Sequence, residues 1–344
     1  MRVLFLTPWY PSDTDAMAGL FVLKHVEAVR AQGIDVRVIH AQTLRETWRQ
    51  WNALRREGWM PDVVQLNVIQ KQGLLALWLK RRYHIPYIVV EHWSGYMPEN
   101  KAVTPDGLHT RFMQRICREA AVVMPVSRPL QEAMLALGFQ AQRWEQIDNV
   151  VDDFFFEENR KAKDQSPKTL LHVSCFDERA KNIKGLLHAA KMLAIKRQDW
   201  QLVLVGTGPD YAEIRAYADA LQLPVGLLCW TGELTPREVA ELMHQSDALV
   251  LSSRYETYGV VLAEAAAAGL PILSTPVGIA EELHALIVSQ EIAQHKPGRF
   301  AEFIEAILWQ QNDAKAVYAD RHRFSAHTIG AQLKAIYYSC VPAN

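Results

Sequence analysis

Ala248-Leu249-Val250-Leu251-Ser252-Ser253-Arg254-Tyr255-Glu256-Thr257-Tyr258-Gly259-Val260-Val261-Leu262-Ala263-Glu264-Ala265 is the stretch whose reading decides this chain. The apolar run Ala248–Leu251 reads as a buried strand, and the segment from about Tyr258 to Ala268 as a helix. Glu256 then lies in the turn at the strand's C-terminal end, and Glu264 projects from within the helix. A helix start offers unpaired backbone N–H groups and a partial positive charge, which suits a phosphate. From Tyr258 to Glu264 the helical rise is roughly 9 Å at about 1.5 Å per residue. A sugar diphosphate nucleotide spans that geometry, with sugar hydroxyls on Glu256, phosphate on the helix start and ribose hydroxyls on Glu264. Spacing alone leaves a plainer reading open. A Glu near a helix start is favourable through the dipole, and Glu264 facing solvent fits the same pattern.

Outward from this stretch, short β-rich runs alternate with longer helical patterns, the mark of α/β units with parallel sheets. Strands are predicted at Arg2–Leu6, Asp35–Ile39, Asp62–Leu66, Tyr87–Glu91, Val122–Val126 and Glu145–Val150, then at Thr169–Ser174, Gln201–Val205, Val225–Trp230, Ala248–Leu251 and Pro271–Ser274. Helices are predicted near Leu20–Ala31, Gln72–Tyr83, His109–Arg118 and Pro129–Leu137, and near Lys184–Lys196, Pro209–Leu221 and Pro236–His244. The tail from about Phe300 to Tyr338 also reads helical. Glu157 to Pro167 is charged, nearly free of large apolar residues and ends in Pro, a linker composition. The predicted fold is α/β: two doubly wound Rossmann-like domains, 1–160 and 165–324, facing across a cleft. Ligands in such sheets bind beyond the C-terminal strand ends.

At 344 residues the chain exceeds what one hydrophobic core usually organises. The net charge of −1 gives no global case for nucleic acid as a partner. The halves differ, however. Residues 1–150 carry 18 Lys+Arg against 14 Asp+Glu, a net of +4, so the remainder carries −5, and they hold seven of the ten tryptophans. Cys117, Cys175, Cys229 and Cys340 are scattered without metal-ligand spacing, which fits a reducing compartment and neither a disulfide framework nor a zinc site. The apolar start Val3–Leu6 is too short for a signal segment. No apolar run approaches the 18 or so residues of a membrane span. Trp48, Trp51 and Leu54 fall near one helical face bordered by Arg45, Arg49, Arg55 and Arg56. Such a helix lies on an anionic bilayer or packs on its own sheet.

Four further places are candidate chemistry. Lys181 sits between a predicted strand end and the next helix, where an ammonium meets phosphate oxygens or simply faces solvent. Gly206-Thr207-Gly208-Pro209 follows a strand and allows a tight turn with close backbone approach. Gly19 precedes a helix start, as an ordinary loop Gly or as a phosphate approach. His92 lies just past the strand Tyr87–Glu91, where cleft exposure is favoured. Glu91 beside it either orients the ring or faces the core.

The segment around Glu256 and Glu264 resembles the E-x7-E motif of retaining glycosyltransferases of family four, which have the two-domain GT-B fold. The continuation Ala265-Ala266-Ala267-Ala268-Gly269-Leu270-Pro271 is similar to the family's E-A-x-A-x-G-x-P run. The resemblance implies a metal-independent transferase that moves a sugar from a nucleotide-diphosphate sugar to a glycan or lipid-linked acceptor, with no cofactor. It implies that Lys181 binds diphosphate, that Glu256 and His92 meet the sugar, and that Glu264 meets the ribose. By the same resemblance Gly19, Gly206, Gly208, Thr257, Tyr258, Gly259, Val260 and Val261 surround the donor, while Glu233 and Leu234 cradle its base. A final helix, about 325–344, is implied to pack back on the first domain.

This chain departs from the family at two positions. Cys175 stands where the family commonly has an arginine, with Arg179 or Lys184 as substitutes, and Val150 replaces the Gly of an N-G-V-D turn. Val150 at a position favouring positive φ would be strained. Two other functions stay open, a hydrolysing-type sugar-nucleotide epimerase and a non-catalytic sugar-nucleotide-binding protein. The expected location is cytoplasmic, peripheral at the inner face of the cell membrane, with an anionic membrane surface as a further partner.

Overall fold

The structure is a computed structural model and describes residues 1–12, 15, 18–100, 102–105, 107–157, 167–310 and 321–341. Most of the expected linker, residues 158–166, and part of the helical tail, residues 311–320, lie outside the described residues, as do 342–344 of the expected final helix. The chain divides into two compact units, Met1–Val150 with Arg323–Asn344, and Val151–His322.

The first unit has strands β1 (Arg2–Thr7), β2 (Asp35–His40), β3 (Val63–Asn67), β4 (Tyr87–Glu91) and β5 (Val122–Pro125), all parallel, in the order β2-β1-β3-β4-β5. β3 and β4 are buried at every position, which is why they read as continuous apolar runs rather than alternating ones. Helices α1 (Leu20–Ala31), α2 (Leu44–Arg56), α3 (Gly73–Tyr83), α4 (Leu108–Glu119) and α5 (Arg128–Ala136) connect them. The predicted strand Glu145–Val150 is not one. It runs beside β5, with Val123 N–H donating to Arg143 O at 2.9 Å and Glu145 N–H to Val123 O at 3.1 Å. Pro125 then has no N–H to continue the ladder.

The second unit has β6 (Lys168–Val173), β7 (Trp200–Val205), β8 (Leu228–Gly232), β9 (Ala248–Leu251), β10 (Ile272–Ser274) and the short β11 (Leu286–Ile287). They are parallel in the order β11-β10-β9-β6-β7-β8. α6 (Glu178–Lys181), α7 (Ile183–Lys196), α8 (Tyr211–Ala220), α9 (Pro236–Gln245), α10 (Val260–Ala267), α11 (Gln290–His295) and α12 (Pro297–Trp309) surround the sheet. Leu186, Leu193, Phe300 and Ile304 of α7 and α12 close its core over Leu170, Leu202 and Val250. β8 begins three residues later than Val225–Trp230 predicts. Pro224-Val225-Gly226 is a turn, with Leu227 N–H on Pro224 O and Gly226 at φ 85°.

α13 (Ala326–Cys340) belongs to the first unit and packs on α1. Gly330 makes the contact close, since a Cβ there would sit 2.4 Å from Ala28 O. Arg323 grips the Asp148 carboxylate with two bonds of 2.9 Å, and Tyr337 donates to Gln65 Oε1 inside the unit. Val150 is not strained, because its φ is not positive. Among the described residues the left-handed non-glycine ones are Val68, His84, Asn182 and Gln222.

Candidate functional site

In the second unit the loops at the carboxyl ends of β6, β7, β8 and β9 carry the expected residues. α10 begins two residues later than predicted. Gly259 takes φ 78° at its N-cap, so Tyr258 stands outside the helix and is buried. Leu262 N–H bonds back to Gly259 O at 2.8 Å. The Val260 and Val261 N–H groups therefore head the helix, before any intrahelical acceptor. Gly278 packs its backbone beneath this turn, where a Cβ would lie 2.1 Å from Tyr258 O, and Ile279 N–H donates to Tyr258 O at 3.0 Å. Glu264 lies half-buried on α10.

Lys181 closes α6, a short helix capped by the Asp177 side chain that periodicity did not reveal. Asn182, at φ 51°, ends α6 and opens α7. Ser252 Oγ–H donates to Lys181 O at 2.9 Å, and Arg254 N–H to Ala180 O at 2.7 Å. These bonds fasten the Lys181 turn to the β9 loop. The result is a pair that spacing did not foretell: Lys181 Nζ donates to Glu256 Oε1 at 2.6 Å, with each side chain 14% exposed. Ser253 Oγ–H reaches the same oxygen at 2.7 Å. Burial works against the Lys181 ammonium, but the Glu256 charge and hydrogen bond outweigh it and raise the lysine's pKa above 10.5.

The residues proposed to replace the missing arginine are otherwise engaged. Lys184 is ion-paired with Glu213, and Arg179 donates to Tyr255 OH at 3.1 Å. Cys175 is exposed. Sequence reasoning missed His172, Ser253 and Gln290. His172, an imidazole inside the apolar strand Leu170–Val173, was the available signal. It bonds Val250 O at 3.0 Å and Ser174 Oγ at 2.8 Å, and burial lowers its pKa to about 4. Gln290 donates to Ser253 O at 2.9 Å and Arg254 O at 3.1 Å, bracing the Glu256 loop.

Gly206 and Gly208 make their close approach to protein. A Cβ on Gly206 would stand 1.9 Å from Ser174 O, and one on Gly208 2.5 Å from Phe176 N, so both glycines let the β7 turn lie on the β6 turn. Glu233 is exposed and Leu234 half-buried after β8.

In the first unit, Gly19 caps α1 at φ 67°, and a Cβ there would meet Trp9 C at 2.3 Å. Only glycine lets the Trp9–Tyr10 backbone cross this helix start. His92 follows β4, with its ring centre 4.0 Å from that of Phe21, and its buried Nε2 has no protein partner. Burial keeps the imidazole neutral, its pKa well below 6.5. Glu91 is fully buried and does not act on the ring. Its carboxylate accepts from Ile69 N–H (2.9 Å), His92 N–H (3.0 Å), Trp93 N–H (2.9 Å) and Tyr96 OH (3.0 Å), fixing the loop that carries His92. Burial raises its pKa despite these donors.

The tryptophans of α2 and of the segment just after it do not form an exposed aromatic face. Trp51 and Trp59 are buried, Trp59 Nε1–H donates to Asp35 at 2.8 Å, and half-buried Trp48 packs edge-on against Trp78 of α3. What faces solvent is basic. α2 touches α3 through these rings, and Lys80 of α3 donates to Glu119 O of α4 at 2.6 Å. Arg45, Arg49, Arg55, Arg56, Arg82, Arg111 and Arg118 are exposed on this three-helix layer. Among the described residues no cluster of three His, Cys, Asp or Glu is placed to hold a metal ion, and no helix is long and apolar enough to cross a membrane.

Residues 153–324 match the family described as glycosyl transferases group 1, and residues 1–149 match the glycosyl transferase 4-like domain. The N-acetyl-alpha-D-glucosaminyl L-malate synthase of Bacillus anthracis is 34% identical over 33% of this chain; the match spans 29% of that protein, less than a third of its length. The putative teichuronic acid biosynthesis glycosyltransferase TuaC of Bacillus subtilis is 21% identical over 98% of this chain and 97% of its own. Anabaena HepE, solved in complex with UDP, superposes with a TM-score of 0.74 over 98% of this chain and 100% of its own, at 17% identity. Two parallel-sheet domains of this kind are the GT-B fold, and the matches support a transferase and neither alternative. This chain belongs to the group 1 glycosyl transferases and is a glycosyltransferase.

Proposed function

We propose that the protein transfers a sugar, with retention of anomeric configuration and without a metal or cofactor, from a nucleotide-diphosphate sugar to a glycan or lipid-linked acceptor. The observation that carries this reading is the Lys181–Glu256 pair beside the open N-terminus of α10. It sets a cation and helix amides for a diphosphate next to a carboxylate for the sugar. Lys181 and the amides of the turn Thr257, Tyr258, Gly259, Val260 and Val261 stabilise the departing diphosphate, the largest electrostatic contribution such a site offers. Glu256 and His92 meet the sugar, Glu264 the ribose, and Gly232, Glu233 and Leu234 the base. The Gly19 loop meets the diphosphate from the first unit. TuaC is described as acting in teichuronic acid biosynthesis, which supports a polymer-building acceptor class.

The decisive experiment screens UDP-, GDP- and ADP-sugars for thermal stabilisation, since a ligand at 100 times its dissociation constant adds about 2.7 kcal/mol. NMR of the product made in a chelator then gives its anomeric configuration. An inverted product, or turnover that requires added metal, overturns the mechanism.

The basic layer of α2, α3 and α4 is the surface for an anionic membrane, the inner face of the cell membrane. Arginine near such a surface contributes about 1 kcal/mol each and is screened by salt. Co-sedimentation with phosphatidylglycerol vesicles tests it. Binding should fall with salt and with Arg45, Arg49, Arg55 and Arg56 changed to Gln, whereas no binding at low salt points to an acceptor free in solution.

A further inference from the structure

His25 lies on the buried stripe Val22, His25, Val26 and Val29 of α1 and is fully enclosed. Its Nε2 is 3.0 Å from Asp148 O. A carbonyl oxygen only accepts, so Nε2 carries the proton, and in a neutral ring Nδ1 is then a bare acceptor. Burial lowers the pKa of this imidazole to about 4, so the ring is neutral near pH 7. The anchor is rigid, because the Asp148 carboxylate is held by Arg323 through two bonds. Nδ1 is buried and has no protein partner.

The neighbouring ring has the complementary lack. His92 Nε2 is also buried without a protein partner, and the two ring centres are 5.9 Å apart. Phe21, one turn before His25 on α1, lies against the His92 ring at 4.0 Å between ring centres. Buried polar atoms in folded proteins nearly always find a partner. Neither nitrogen is within hydrogen-bond distance of the other, and at this ring separation one bridging water spans the gap between them.

We propose that His25 is a positioning residue for His92: His25 Nδ1 accepts, through one bridging water, from a proton on His92 Nε2, and so holds His92 in one tautomer and one orientation. The inference rests on His92 being the first-unit group that meets the donor sugar. It assigns a role to the second ring nitrogen of a histidine that stands in an apolar helix stripe. It also ties His92 to Asp148, two residues before the chain leaves the first unit.

Long-range proton–nitrogen correlation spectra of protein labelled with 15N in its imidazoles report which nitrogen carries the proton. In the wild type His92 should be protonated on Nε2, and a proton on Nδ1 overturns the proposal without any variant. In His25→Phe the His92 signal should move to a mixture of tautomers, and kcat should fall on the order of tenfold, the scale of a lost orienting partner behind a functional imidazole. UDP affinity should be unchanged. His25→Asn returns an acceptor near the Nδ1 position and should recover the His92 tautomer and most of kcat. An unchanged His92 spectrum in His25→Phe, or no recovery in His25→Asn, overturns it. If His25→Phe does not fold, the wild-type and His25→Asn spectra decide. A tautomer shift with unchanged kcat upholds the link and instead removes His92 from the reaction.

Discussion

Glu256→Gln should make a nucleoside diphosphate bind more tightly while it slows transfer. Lys181 Nζ is committed to Glu256 Oε1 at 2.6 Å, so a diphosphate that takes the ammonium must first draw it from a carboxylate and then tolerate that carboxylate nearby. Exposed ion pairs are worth about 0.2–1 kcal/mol and hydrogen bonds to charged groups about 1.5–3 kcal/mol. With 14% exposure on each side chain, the pair falls between these classes. Ser253 Oγ continues to serve the side chain at position 256, so the change touches chiefly the ammonium. A release of about 1.4 kcal/mol corresponds to roughly tenfold tighter binding. Calorimetry with UDP, and with GDP and ADP in parallel, would measure it at low and high salt. The gain should vanish in a Lys181→Ala background, because there is then no ammonium to release. Unchanged or weaker binding in Glu256→Gln, or a gain that persists without Lys181, refutes the competition.

Glu264→Ala should weaken UDP by about 1.5–3 kcal/mol, the value of hydrogen bonds to a charged group; equal calorimetric affinity for wild type and variant removes Glu264 from the ribose. Lys181→Ala should weaken the diphosphate far more than the bare nucleoside, and an equal loss for both would mean that the lysine acts through folding. His25 and His172 have folded pKa values lowered to about 4, so the unfolded chain binds more protons below about pH 6.5 and stability falls as the pH falls toward 4. Each should cost about 2 kcal/mol at pH 5 relative to neutral pH, given about 1.36 kcal/mol per pKa unit. Denaturation series at pH 7 and pH 5 should show a smaller pH effect in His172→Gln, and an identical slope would place the titration elsewhere.

The parallel sheets were legible because buried strands such as Ala248–Leu251 and Tyr87–Glu91 carry unbroken apolar runs, and helices such as Leu20–Ala31 keep a regular period. The positions of His92, Gly206 and Glu256 beyond strand ends were equally legible. Their partners were not. Lys181 and Glu256 are 75 positions apart, and only the parallel β6–β9 pairing and the bonds from Ser252 and Arg254 bring them to one oxygen. The glycines show the same division. Composition marked Gly19, Gly206 and Gly208 as turn residues, but only the packed backbone reveals that Trp9, Ser174 and Phe176 fill the space a Cβ would need. The Trp48–Trp59 segment was ambiguous because amphipathicity gives a helix two faces and no direction. Tertiary packing turned its rings onto Trp78 and Asp35 and left its arginines outside. Periodicity and turn chemistry act over a few residues and are written in the local sequence. Pairing between distant side chains depends on which strands neighbour each other, and that is decided only when the whole unit folds.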